Sequence, residues 1–146
     1  MSFENIFIFN PNSQAPSNQL NINFERARTC FRYLGTGELT PTQITSNQND
    51  YATTDSTSVN ANSVPVGVLR LSTDASRDIT GLSSGDTNRR LLLLNVGSFN
   101  IVLKNQNAGS TAMNRIITGT GGDLTVASDT ATQLYYDSTT TRWRVI

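Results

Sequence analysis

The stretch RIITGTGGDLTV, residues 115–126, decides how the chain is read. Its glycines, Gly119, Gly121 and Gly122, belong either to a loop that cradles a phosphate or to a turn between two strands. A phosphate loop works because backbone N–H groups at a helix N-terminus point at the anion. The nucleotide-binding fingerprints therefore need a strand before the glycines and a helix after them. Here RIIT precedes, but DLTVA follows, and that is a second strand-like run. The spacing is G-x-G-G rather than G-x-G-x-x-G, and no Gly-Lys-Ser/Thr is present. The glycines read as a turn, because glycine accepts the positive φ that tight turns demand. Gly121-Gly122-Asp123 has the chemistry of a hairpin loop.

Working outward, the same pattern repeats. VGVLRLS (66–72), DITGL (78–82), RRLLLLNV (89–96), FNIVLKN (99–105), NRIITG (114–119), DLTVA (123–127), TQLYYD (132–137) and RWRVI (142–146) all read as short strands. The leucine run at 89–96 is nearly continuous, as expected for a strand buried on both faces. Gly97-Ser98 between two strands predicts a hairpin, and STTT (138–141) predicts another. Regular short strands separated by turn residues indicate an all-β domain, a compact antiparallel β-sandwich or jelly-roll over 39–146. The segment 39–64 is polar and linker-like, with Ile44 and Tyr51 as its candidate anchors in the core.

Residues 1–38 differ and read as an extended N-terminal arm. FENIFIF (3–9) is strand-like, NPNSQAPSNQ is turn-rich, and LNINF alternates strictly. FERARTCFRYLG supports two readings. As one short helix over 24–34 it places Phe24, Ala27, Phe31 and Leu34 on one face; as a strand it places Arg26, Arg28 and Arg32 on one side.

Composition excludes much. The chain has 146 residues, a formal net charge of zero and no histidine. Mechanisms using a histidine base, nucleophile or metal ligand are therefore closed to it. A single cysteine, Cys30, cannot form an intrachain disulfide, and it reads as packing. Ser, Thr, Asn and Gln supply roughly two residues in five, well above ordinary usage. The balanced charge gives no bulk attraction to nucleic acid or anionic lipid. No apolar run is long enough to span a membrane, and MSFENIFIFNPN lacks the features of a secretion signal, so a soluble protein made in a cytoplasm is expected.

Candidate sites are few. Asp74 and Asp78 read as turn residues beside Arg77 rather than as metal ligands. Arg89-Arg90 reads as a solvated or interfacial strand end. Tyr135, Tyr136 and Trp143 could stack on sugars, or form core with one wet edge. No catalytic, cofactor or metal residue stands out, and the chain reads as a non-enzyme.

LTPTQITSNQNDY, LRLSTDASRDITGL, NVGSFNIVLKNQN, NRIITGTGGDLTV and YYDSTTTRWRV, in that order, form a pattern. Across 39–146 the chain resembles a β-rich module of tailed-bacteriophage virion proteins, including those of cyanophages, found in tail-fibre-like and other virion surface proteins. The resemblance implies a structural, non-enzymatic protein of the phage particle, often trimeric. The chain looks like an attachment arm plus one β domain, the design expected of a capsid decoration, or cement, protein or of a short head fibre. The arm residues Phe3, Ile6, Phe7, Ile8, Phe9, Arg26, Arg28 and Arg32 are then the expected contacts to the major capsid protein. The alternative is a tail-fibre or baseplate module that binds a host surface glycan through Tyr135, Tyr136 or Trp143.

Overall fold

A computed structural model describes residues 37–55 and 64–146. It is all-β. The strands are β1 (Glu38–Leu39), β2 (Thr54–Asp55), β3 (Val64–Pro65), β4 (Val68–Leu71), β5 (Arg77–Ile79), β6 (Arg90–Asn95), β7 (Ile101–Leu103), β8 (Ile116–Ile117), β9 (Leu124–Val126), β10 (Ala131–Asp137) and β11 (Arg142–Val145). The helical content among the described residues is one 3-10 turn at Ala112–Asn114. Each of the eight strand-like runs after residue 64 overlaps one of these strands.

The strands form a six-stranded sheet in the order β1-β4-β6-β10-β11-β8, a three-stranded sheet β5-β7-β9, and the small pair β2-β3. The expected antiparallel architecture is corrected here, because the sheets are mixed. β1 runs parallel to β4, β4 to β6, β5 to β7 and β11 to β8. The cause is the path of the chain, which makes successive passes. Each pass lays one segment on the large sheet, turns a corner and lays the next beside the small sheet. Glu38 lies beside Val68, and Val68 beside Leu92; on the other sheet Arg77 lies beside Ile101. A chain that comes round again in the same direction must pair in parallel.

The first pass is the segment 39–55, whose composition resembled a linker. Its order comes from alternate backbone groups that bond to the next pass. Ile44 N–H donates to the Ser72 carbonyl (2.9 Å), Gln48 N–H to that of Asp78 (2.8 Å) and Tyr51 N–H to that of Gly81 (2.9 Å). The carbonyls of Ile44, Gln48 and Tyr51 accept in turn from Asp74, Thr80 and Ser83. Ile44 is buried and Tyr51 packs against the core, as their apolar character predicted.

Two predicted hairpins are corrected. β6 and β7 do not pair; they lie in different sheets, and so do β8 and β9. At the first crossing the Asn95 side chain is buried. Its Nδ2 donates to the carbonyls of Phe99 (2.8 Å) and Val126 (2.9 Å), and its Oδ1 accepts from Gly97 N–H (3.1 Å). These bonds tie the chain across to the small sheet and prevent it from folding back on β6. At the second crossing Gly119 and Gly121 both adopt φ of +81°, so the glycine stretch is a turn. It leads from one sheet to the other, and no helix follows it. The STTT loop does close a hairpin, with Asp137 opposite Arg142.

One core joins the sheets. Leu69, Leu71, Leu91, Leu93, Leu134 and Trp143 enter from the large sheet; Ile79, Ile101, Leu103 and Val126 enter from the small one. Burying such a side chain contributes about 1.5–3 kcal/mol. The leucine run is not buried on both sides as expected: Leu91 and Leu93 are fully buried, while Leu92 and Leu94 point outward and stay partly exposed.

Candidate interaction face

The outer face of the six-stranded sheet carries the least ordinary chemistry of the described domain. Strand alternation places it. The register aligns Glu38, Val68, Leu92 and Gln133 in one row across four strands. Ile146 N–H donates to the Gln133 carbonyl (3.0 Å), which sets Ile146 at the end of that row. A second row holds Arg70, Leu94 and Ala131. A third holds Arg90, Tyr135, Arg144 and Ile117. The result is an apolar stripe of Val68, Leu92 and Leu94, separated from Ile146 by the exposed Gln133, with arginines on both sides. Ile146 is 62% exposed.

Two of the arginines are paired on the face itself. Arg70 Nε lies 3.5 Å from Glu38 Oε1, and Arg144 Nε lies 2.7 Å from Asp137 Oδ2. Asp137 also accepts from Thr140 Oγ1 (2.8 Å) and from the N–H groups of Thr139 and Thr140. The Arg144 guanidinium, followed by these donors, holds the Asp137 carboxyl down at about 2. Arg142 bends over its own turn and donates to the Thr141 carbonyl (2.9 Å). Neither Arg90 nor Arg142 has an ion-pair partner among the described residues.

The sugar-stacking candidates separate by strand parity. Tyr135 faces out, partly exposed, with its hydroxyl 3.2 Å from Asn88 Oδ1. Tyr136 and Trp143 face in, at 6% and 0% exposure, so neither can stack on a sugar. Their rings meet edge to face at 5.4 Å, and Trp143 Nε1 donates to the Leu82 carbonyl at 2.8 Å. The expected glycan platform therefore reduces to one tyrosine.

Arg89 and Arg90 also part. Arg89, expected at a solvated or interfacial end, is buried. Its guanidinium lies over the Trp143 ring at 5.3 Å and donates to the carbonyls of Ser84, Thr53 (2.6 Å) and Val66 (3.2 Å). It joins the end of the first pass to the start of the second. Cation–π contact and carbonyl acceptors make burial of the charge tolerable. No local sequence feature distinguishes it from Arg90 except its place one residue before β6, on the inward parity.

Asp74 forms a two-point pair with Arg77, at 2.8 and 3.0 Å. The Arg77 hydrogen bonds lower its pKa. Asp78 lies 3.9 Å from Lys104, which also pairs with Asp123. Among the described residues no group of three or more His, Cys, Asp or Glu is placed to hold a metal ion. Sequence reasoning missed the Asp50 cluster. Asp50, at φ +48°, accepts from Thr111 N–H (3.0 Å), Thr111 Oγ1 (2.8 Å) and Asn114 Nδ2 (3.0 Å). Burial raises its pKa, but these hydrogen bonds outweigh it and the net shift is downward. The cluster fastens the first pass to the 107–114 loop and is structural. The arm residues Phe3, Ile6, Phe7, Ile8, Phe9, Arg26, Arg28 and Arg32, the 24–34 segment and Cys30 lie outside the described residues.

No protein-family model, curated protein or solved structure matches the chain.

Proposed function

We propose that the chain is a structural, non-enzymatic virion protein of a tailed phage, and specifically a capsid decoration protein that binds and stabilises the head shell. The observation that carries this reading is the outer face: an apolar stripe with an arginine and tyrosine rim on a chain of zero net charge. Arginine and tyrosine around an apolar centre are the composition of protein interfaces. The ordered motifs over 39–146 that resemble phage virion modules support the same reading. In it the two larger sheets are the layers of a sandwich, and the domain trimerises. Residues 1–38 reach across the major capsid protein, with Phe3, Phe7 and Phe9 or their Ile neighbours adding a strand and Arg26, Arg28 and Arg32 meeting acidic groups. The chain is made in the host cytoplasm and ends on the particle. Trimerisation multiplies weak contacts through effective concentration. A ligand that binds only the assembled lattice stabilises it by mass action.

Heads stripped of the chain should rupture at lower temperature than complete heads, and adding the purified chain back should restore the difference. Unchanged rupture in both comparisons would remove the proposal. The second reading is a host-recognition module of the tail, for which Tyr135 is the remaining outward aromatic. Retention on immobilised host glycan, lost in Tyr135→Ala, would favour it.

A further inference from the structure

We infer that the outer face of the six-stranded sheet docks on an acidic protein surface with an apolar centre, and that Arg90 and Arg142 are its charge-reading residues. The inference rests on the shell-protein reading for the name of the partner, and not for the chemistry of the face. Three observations carry it.

The first is the leucine run. Four consecutive leucines fill a strand whose inner positions need only Leu91 and Leu93 for the core. Leu92 continues the row from Val68, and Leu94 stands beside it on the same strand, with Ile146 at the far end of the row beyond the exposed Gln133. A sheet with one wet face ordinarily alternates apolar and polar residues. This strand does not alternate, and its outer leucines are suited to a second covering layer.

The second is charge. The face carries Arg70, Arg90, Arg142 and Arg144 against Glu38 and Asp137. The other charged residues of the described chain are four cations and seven carboxylates. The described domain has therefore concentrated positive charge on one face, and its other described charges are mostly acidic. A second copy meeting this face would bring net positive charge against net positive charge. A partner with carboxylates around an apolar centre would meet both features.

The third is how the charges are disposed. Arg70 and Arg144 are already neutralised on the face by Glu38 and Asp137. Arg90 and Arg142 are not paired with any described acid. Arg90 stands in the row of Tyr135 and Arg144, and Arg142 one row further along β11 beside Asp137. A partner's carboxylates are thus offered the planar Arg90 guanidinium and the outer Nη2 of Arg142, whose Nε and Nη1 already bond Gln106 and its own turn. These contacts set register and on-rate, while the apolar stripe supplies the burial.

The test is arginine footprinting. Intact particles carrying the full chain, and the purified full chain at the same concentration, are treated with phenylglyoxal and read by mass spectrometry. Arg90 and Arg142 should react at least tenfold more slowly in the particle. Arg77, on the small sheet and paired with Asp74, should change less than twofold. Protection should relax in about 1 M salt, where the screening length falls to about 3 Å. Arg90→Glu combined with Arg142→Glu should reduce incorporation at least tenfold while leaving the tryptophan fluorescence of the purified chain unchanged. Equal reactivity of Arg90 and Arg142 in both samples would overturn the inference. Protection already present in the purified chain would assign the face to self-association, and protection abolished by nuclease would assign it to nucleic acid; either result also overturns it. If the chain is absent from the particles, the shell-protein reading fails. The same footprint in the lysate of the producing cells then decides the face by the same criteria.

Discussion

Replacing Asn95 by aspartate alters one side-chain group and should remove a large part of the domain's stability. Asn95 is 1% exposed, and its Nδ2 faces two backbone carbonyls at 2.8 and 2.9 Å. In Asn95→Ala three hydrogen bonds disappear, each worth about 1 kcal/mol net, so the loss is about 3 kcal/mol. In Asn95→Asp at neutral pH a carboxylate oxygen takes the place of the donor. Two acceptors then face a buried anion, which raises the loss to about 3–5 kcal/mol, the range for an uncompensated buried charge. A domain of this size has roughly 5–15 kcal/mol in total. The pH dependence separates the two variants. Burial against carbonyls raises the folded-state pKa of the introduced carboxyl above its unfolded value of about 3.9. Its penalty is therefore full above the folded value, shrinks as pH falls below it, and is gone below the unfolded value. The protonated acid can also donate one hydrogen bond. Urea unfolding followed by the fluorescence of Trp143, the single tryptophan, measures both variants at pH 7 and pH 4.5. An aspartate variant within about 1 kcal/mol of wild type at pH 7 would refute the account of the crossing. So would a deficit that does not shrink in acid.

Other perturbations test other parts. Asp137 has a depressed folded pKa, so its contribution is present above the ordinary carboxyl value of 3.8 and is lost as pH falls through about 2. NMR titration should place it there, and Arg144→Gln should move it upward; an unchanged value would deny Arg144 its role. A Cβ on Gly85 would lie 2.0 Å from the Tyr136 ring, so Gly85→Ala should destabilise by about 1–3 kcal/mol on overpacking grounds. A Cβ on Gly122 meets nothing within 4 Å, so Gly122→Ala should stay within about 0.5 kcal/mol in the same urea assay. Gly121, at positive φ, should cost about 1–2 kcal/mol as alanine despite equally open space. Equal stabilities of the Gly121 and Gly122 variants would contradict the turn geometry.

Strand positions were legible because alternation and turn residues are local properties. RWRVI and TQLYYD each lie on a strand, and the parity of TQLYYD already separates Tyr135 from Tyr136. Pairing partners were not legible. Gly97-Ser98 has the composition of a hairpin loop, and only the distant carbonyl of Val126, bound by Asn95, sends the chain to the other sheet. The first pass was hidden for a related reason. Its hydrogen bonds come from the backbone of Ile44, Gln48 and Tyr51, and its polar side chains resemble those of a linker. Arg89 and Arg90 are identical in sequence terms, yet one is buried over Trp143 and the other stands on the outer face. The leucine run serves both faces of its sheet. Its apolar content was real, but half of it lies on the outside of the sheet, and the candidate face became visible only with the register of its neighbours.

The measurement that tests the central claim most directly is gold-tagged antibody labelling of purified parent virions, imaged by electron microscopy. The account predicts gold spread over the head in many copies. Gold confined to the tail tip, or particles without label beside a labelled control, would contradict it.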